Sequence, residues 1–63
     1  MPREFKNDID AILALEGGDI DQDEYVAAFQ KLIDSGVVWS LQGYYGRAAA
    51  ALIEAGYCQH KDN

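Results

Sequence analysis

Apolar residues recur at helical spacing in three stretches of the chain, and glycines separate the stretches. The first stretch predicts a helix over residues 5–16. Asn7 suits its N-cap, and a start nearer Pro2 is the alternative. Gly17 offers the left-handed residue that ends many helices. The expected buried face, spaced at i, i+4, i+7 and i+8, is Phe5, Ile9, Ile12 and Leu13.

The second stretch has the clearest start signal. Asp21 followed by Glu24 is a capping-box pattern, which predicts a helix over residues 21–35. Gly36 is expected to close this helix, with Val37 packing back on its last turn in a Schellman ending. The expected buried stripe is Tyr25, Ala28, Phe29, Leu32 and Ile33.

The third stretch predicts a helix over residues 44–56. Residues 37–42 fit a short helical turn or an extended piece, and the pattern leaves open whether the turn joins the last helix. The tail, residues 58–63, is mostly polar and is expected to fray. We therefore predict a single all-α domain over residues 1–63, a compact three-helix bundle with an additional short helical turn. The apolar face of the last helix is Tyr45, Ala48, Ala49, Leu52 and Ile53.

The size of the chain limits its stability, and its cysteine content and apolar runs bear on its location. A core in 63 residues rarely supplies more than about 3–5 kcal/mol. Cys58 is the single cysteine, so no intrachain disulfide forms, and a lone thiol fits a reducing compartment. The N-terminus shows no signal-peptide pattern, and no apolar run approaches the roughly 20 residues that cross a bilayer. We expect a cytoplasmic protein.

The balance of acidic and basic residues favours some classes of binding partner over others. Eleven acids against five bases give a formal net charge of −6. This balance disfavours direct binding to nucleic acid, because phosphate affinity comes mainly from Lys and Arg, and it disfavours anionic membranes. It suits a basic partner surface, although ordinary cytosolic acidity explains it equally well.

The acidic run at residues 19–24 matches the back half of a calcium-binding EF-hand loop. The front half would place Leu13, Leu15 and Gly17 where carboxylate ligands are required. An N-cap with acids that complement the helix dipole explains the run without a metal. We therefore expect no calcium site.

Other reactive residues are sparse. Cys58 and His60 make at most half a zinc site, and His60 is the single histidine. Ser35 and Ser40 have no base near them in sequence, and no triad, paired-carboxylate or phosphate-loop motif stands out. We expect a protein that is not an enzyme and that needs no metal or cofactor.

The most informative group combines aromatic residues with an arginine. Trp, Tyr and Arg are the residue types that dominate binding hot spots. A helix cannot point Tyr44 and Tyr45 to the same face, so a buried Tyr45 leaves Tyr44 outside. The alternatives are that Trp39 caps the core, which we favour for that residue, and that Arg47 pairs with Glu54 or Asp34. The candidate partner-binding residues are Trp39, Gln42, Tyr44 and Arg47.

The C-terminal half carries a distinctive pattern: LIDSG at residues 32–36, Trp39, LQG at 41–43, YGR at 45–47 and LIE at 52–54 before Gly56. This pattern resembles small proteins encoded by tailed bacteriophages. The resemblance implies an origin, and a host cytoplasm as location, without an activity. No catalytic or binding residue carries over from it.

The sequence is compatible with three functions. The first is a small acidic phage-type accessory protein that binds another protein through the Trp39–Arg47 region and modulates a host or defence protein. The second is a homo-oligomeric structural or assembly component. The third is an acidic decoy that occupies the groove of a DNA-binding protein.

Overall fold

The computed structural model describes residues 5–60, which form three α-helices and one short 3₁₀ helix. Their bounds are α1 (Asp8–Gly17), α2 (Gln22–Ser35), the 3₁₀ helix (Val37–Ser40) and α3 (Gly43–Glu54). The predicted all-α, three-helix architecture is confirmed. None of these helices combines the length and apolar character that a bilayer crossing requires.

The caps explain where α1 differs from its predicted bounds. Asn7 has an extended backbone, and its side-chain oxygen accepts a hydrogen bond from the Asp10 amide at 2.9 Å. The helix therefore begins at Asp8, three residues after the predicted start. It runs through Gly17 because Gly18, at φ +72°, is the left-handed residue that ends it.

Both ends of α2 are fixed by local hydrogen bonds. The Glu24 amide donates to Asp21 Oδ1 at 2.9 Å and the Asp21 amide donates to Glu24 Oε1 at 3.3 Å, so the predicted capping box is confirmed. At the other end the Gly36 amide reaches the carbonyls of residues 32 and 33. The Val37 amide instead donates to Ser35 Oγ at 3.2 Å. The ending is therefore the simpler left-handed cap and not the predicted Schellman motif.

The Schellman motif occurs at the end of α3. The Gly56 amide donates to the Ile53 carbonyl at 3.1 Å, and the Tyr57 amide donates to the Leu52 carbonyl at 2.9 Å. Gly56 takes φ +89° to close this turn. The helix ends at Glu54, two residues before the predicted end, because the capping residues lie outside it.

Residues 37–42 form a separate element. Val37–Ser40 is a single 3₁₀ turn, and Leu41 and Gln42 follow with extended backbone dihedrals. The turn is therefore not continuous with α3, which settles the question that the sequence left open.

The core is built around α2, which packs against α1, α3 and the 3₁₀ helix. Its predicted stripe is largely confirmed, with Tyr25 half-buried and the other four residues buried. The Phe29 ring lies 5.0 Å from the Tyr25 ring and 6.1 Å from the Tyr45 ring, centre to centre. The largest fully buried side chains are Phe29, Leu32, Ile33 and Val38.

The predicted buried face of α1 is wrong for two of its four residues, whereas Phe5 and Ile12 are partly buried against the core. Ile9 and Leu13 are 67% and 63% exposed, whereas Ala11 is fully buried and Ala14 is 8% exposed. Apolar residues lie on most sides of α1, so its pattern does not single out one face. Small side chains toward α2 allow the two helices to approach closely, and this packing decides the orientation.

The tail prediction is corrected for residues 58–60; residues 61–63 lie outside the described part of the chain. Cys58 is 3% exposed, and its Sγ lies 3.6 Å from the Val26 carbonyl oxygen. The Gln59 amide donates to Gln30 Oε1 and Gln30 Nε2 donates to the Gln59 carbonyl, both at 2.9 Å. These contacts hold Cys58 and Gln59 against α2, and the His60 ring stacks on Trp39 of the 3₁₀ helix.

Candidate interaction surfaces

Tyr44 and Arg47 lie one turn apart near the start of α3 and share a side of it. Tyr44 is 54% exposed and Arg47 is exposed. The guanidinium folds along the helix toward Gly43, where an added Cβ would lie 3.2 Å from Nη1. Gln42 is exposed at the N-cap position, and its side chain makes no capping hydrogen bond. We call Gln42, Tyr44 and Arg47 the α3 surface.

A buried tyrosine supports the exposed one. Tyr45 is 7% exposed, and its hydroxyl donates to Glu16 Oε2 at 3.1 Å. Burial and this hydrogen bond raise the pKa of Tyr45. The Tyr44 ring meets the Tyr45 ring edge-on at 4.9 Å. The structure thus separates the two tyrosines as predicted, and the exposed ring rests on a fixed one.

Trp39 forms a different patch. It is 47% exposed, so it does not cap the core in the way that we favoured. Its ring stacks on His60 at 5.8 Å, and a Cβ added at Gly46 would lie 3.9 Å from it. Gly46 and Tyr44 point roughly 200° apart around a helix. The four predicted residues are therefore all exposed, but they are divided between two flanks of α3.

The alternative interpretation, in which Arg47 pairs with Glu54 or Asp34, does not hold. Asp34 accepts a hydrogen bond from Gln30 Nε2 at 2.9 Å. Among residues 5–60, no ion pair joins Arg47 to Asp34 or to Glu54. The guanidinium is therefore open to a partner.

A third exposed area lies on α1, where the sequence predicted core. The outward side chain of Leu13 lines a cleft of about 340 Å³ between α1 and the loop to α2, and the exposed Ile9 lies one helical turn before Leu13. No single-sequence signal identified this area, because large apolar residues spaced at i and i+4 normally indicate a buried face. The cleft is lined by Asp10, Leu13, Ala14, Gly17, Asp19 and Ile20.

The Cys58 thiol is buried, and the capping acids of α2 are engaged in hydrogen bonds. Burial raises the pKa of the Cys58 thiol, and the Asp34 charge adds to the shift, so the nucleophilic thiolate is disfavoured. Asp21 and Glu24 are engaged in the α2 cap. No group of three potential metal ligands occurs within residues 5–60.

The chain was compared with protein families, curated proteins and solved structures. Residues 3–63 match a family described as Domain of unknown function (DUF7417). No curated protein and no solved structure matches the chain.

Proposed function

The chain belongs to this domain family of unknown function, and we propose that it acts by binding another protein through the α3 surface. One observation carries the proposal: an exposed tyrosine and an exposed arginine stand one turn apart at the start of α3. Such side chains contribute most of the binding energy at many interfaces.

The surroundings of the α3 surface favour tight contact. Tyr44 offers an amphipathic ring that is already supported by Tyr45, so little side-chain freedom is lost on binding. Arg47 offers a planar donor for a carboxylate or a carbonyl group. Gly43 has no side chain, which leaves room for the Arg47 guanidinium beside the start of the helix. Trp39 lies on the other flank, and we place it outside the centre of this contact.

The resemblance of residues 32–56 to small tailed-phage proteins gives the proposal a setting. We propose an accessory protein made in an infected bacterium, which binds a host or defence protein in the host cytoplasm. Small size and an acidic, compact helical domain are consistent with that role.

Site-specific crosslinking tests the proposal. A photoreactive phenylalanine analogue replaces Tyr44 in one sample and Tyr57 in another, in extract of the bacterial host. The two tyrosines are 54% and 56% exposed, and they lie at opposite ends of α3, so they form a matched pair. We expect a discrete crosslinked protein from position 44, absent from position 57 and lost in an Arg47→Ala background. Identical products from both positions would refute the α3 surface.

Two physical measurements separate this role from its alternatives. Sedimentation equilibrium of the pure protein detects a homo-oligomeric assembly component, whereas our proposal expects a monomer at micromolar concentration. Added salt should weaken a DNA-mimicking complex sharply, because such a complex depends on charge. We expect a complex based on Tyr44 and Arg47 to weaken only a fewfold between about 0.1 and 0.5 M salt.

A further inference from the structure

The outward stripe of α1 and the adjoining cleft together form a surface that the core does not use. Ile9 and Leu13 each lie two residues from the fully buried Ala11, which places them roughly 200° around the helix from it. Both are more than 60% exposed. We call Ile9, Leu13 and Ile20, with the cleft beside them, the α1 surface.

Two large aliphatic side chains exposed in one stripe gain no burial on folding, so an apolar occupant that covers them would remove their apolar area from water. Leu13 and Ile20 belong to one continuous depression, because both line the same cleft. Gly17 lies on the cleft wall without a side chain, and an added Cβ there would meet no other atom within 4 Å. The depression is therefore open enough to receive side chains from a partner.

The charge around the α1 surface restricts the occupant. Asp10 and Asp19 line the cleft, and Glu16 is exposed one turn beyond Leu13. Residues 5–24 contain seven acids and one base, Lys6. An apolar stripe with an acidic border complements a helix that has an apolar face and a Lys- or Arg-rich border.

We propose that the α1 surface binds a basic amphipathic helix of a partner protein. A second copy of this chain is disfavoured as occupant, because it would bring the same acidic border against the first. The proposal concerns residues separate from the α3 surface and does not depend on it.

A synthetic peptide of about 18 residues, five helical turns, serves as the probe. It carries Leu on one face and Lys on the other, with a fluorescent label, and fluorescence anisotropy measures its affinity for the full chain. A peptide of the same composition in scrambled order separates amphipathic recognition from charge attraction alone. We expect the scrambled peptide to bind at least about tenfold more weakly.

Substitutions on and away from the α1 surface test where the peptide binds. We expect Ile9→Ser/Leu13→Ser to weaken binding at least about tenfold, since two apolar side chains lose their burial, and Asp19→Asn to weaken it about two- to fivefold. The matched control Tyr57→Ser, which also removes an exposed apolar group, should change affinity less than about twofold. Tyr44→Ala/Arg47→Ala should also leave it unchanged, so the two surfaces are tested separately.

Amide chemical-shift mapping on the wild-type chain keeps the test independent of any variant. The proposal expects shifts within residues 9–20. Shifts confined to residues 42–47, equal binding of the ordered and scrambled peptides, or a wild-type dimer that Ile9→Ser/Leu13→Ser dissociates would each overturn it.

Discussion

Two parts of the described chain, residues 5–24 and residues 25–60, differ in their net charge and in their share of the buried core. Residues 5–24 hold seven acids and one base, whereas residues 25–60 hold two of each. The formal net charge of −6 is thus carried by the first part alone. The four largest fully buried side chains all come from the second part.

The two helices that meet across this division use opposite packing. α2 directs Phe29, Leu32 and Ile33 into the core, whereas the buried residues of α1 are only the small Ala11 and Ala14, and Ile9 and Leu13 are exposed. Burial of apolar area is the main favourable term in folding, so most of the stability resides in residues 25–60. Large residues on the outer side of α1 are therefore available for binding without loss of the core.

Truncation of Phe29 should have the largest effect. Phe29→Ala removes a fully buried ring that contacts two tyrosine rings, at a cost of about 3–5 kcal/mol. A core in a chain of this size supplies about the same amount, so we expect most molecules to unfold. Circular dichroism should show loss of helix. Tyr57→Ala, the exposed control, should change the free energy of unfolding by less than about 0.5 kcal/mol. A wild-type urea midpoint in Phe29→Ala would contradict the central place of α2.

Enlarging the inner face of α1 should have the next largest effect. Ala11 is fully buried, so Ala11→Leu forces α1 away from α2 and should destabilise the fold by about 1–3 kcal/mol. The matched change on the outer face, Leu13→Ser, should alter stability by less than about 0.5 kcal/mol. Urea denaturation measures both. If Leu13→Ser cost more than Ala11→Leu, α1 would have to be oriented as the sequence pattern predicted.

The fold was predictable wherever local signals were strong. The capping box at Asp21, the closing glycines and the stripe of α2 agree with one another, and the structure follows them. α1 was not predictable in orientation, because its pattern places apolar residues on most sides. The face of α1 that becomes buried is the one on which Ala11 and Ala14 fit against α2. That fit depends on the shape of α2, and the spacing of residues within α1 does not reveal it.

The candidate site was predictable in part for a similar reason. Tyr44 and Tyr45 are adjacent, so helical geometry alone separates them into one exposed and one buried ring. The position of Trp39 depends on a long-range contact with His60, and sequence spacing contains no information about it. Cys58 is a residue type that is often buried, and this was the one available hint that the chain near it packs on α2.

Loss of the α2 cap should have a smaller effect than either core change. Asp21→Ala removes the oxygen that accepts the Glu24 amide and should lower the free energy of unfolding by about 1 kcal/mol. Asp19→Ala is the control, because it removes a nearby exposed acid outside the capping box. Thermal denaturation followed by circular dichroism compares them. An equal loss from both variants would indicate that the cap contributes only through its charge.

The smallest effect is a loss of stability at alkaline pH, which depends on groups from the second part of the chain. Burial raises the pKa of Tyr25, Tyr45 and Cys58 above their ordinary values of 10.0, 10.0 and 9.0. Between about pH 9 and 11 the unfolded chain releases these protons while the folded chain retains them, so stability falls as pH rises. We expect urea midpoints to decline across this window. Tyr45→Phe, which also loses the Glu16 hydrogen bond at every pH, should show a shallower decline, and Tyr57→Phe should follow wild type. A wild-type midpoint that stays constant up to pH 11 would mean that these three groups are more accessible to water than their burial indicates.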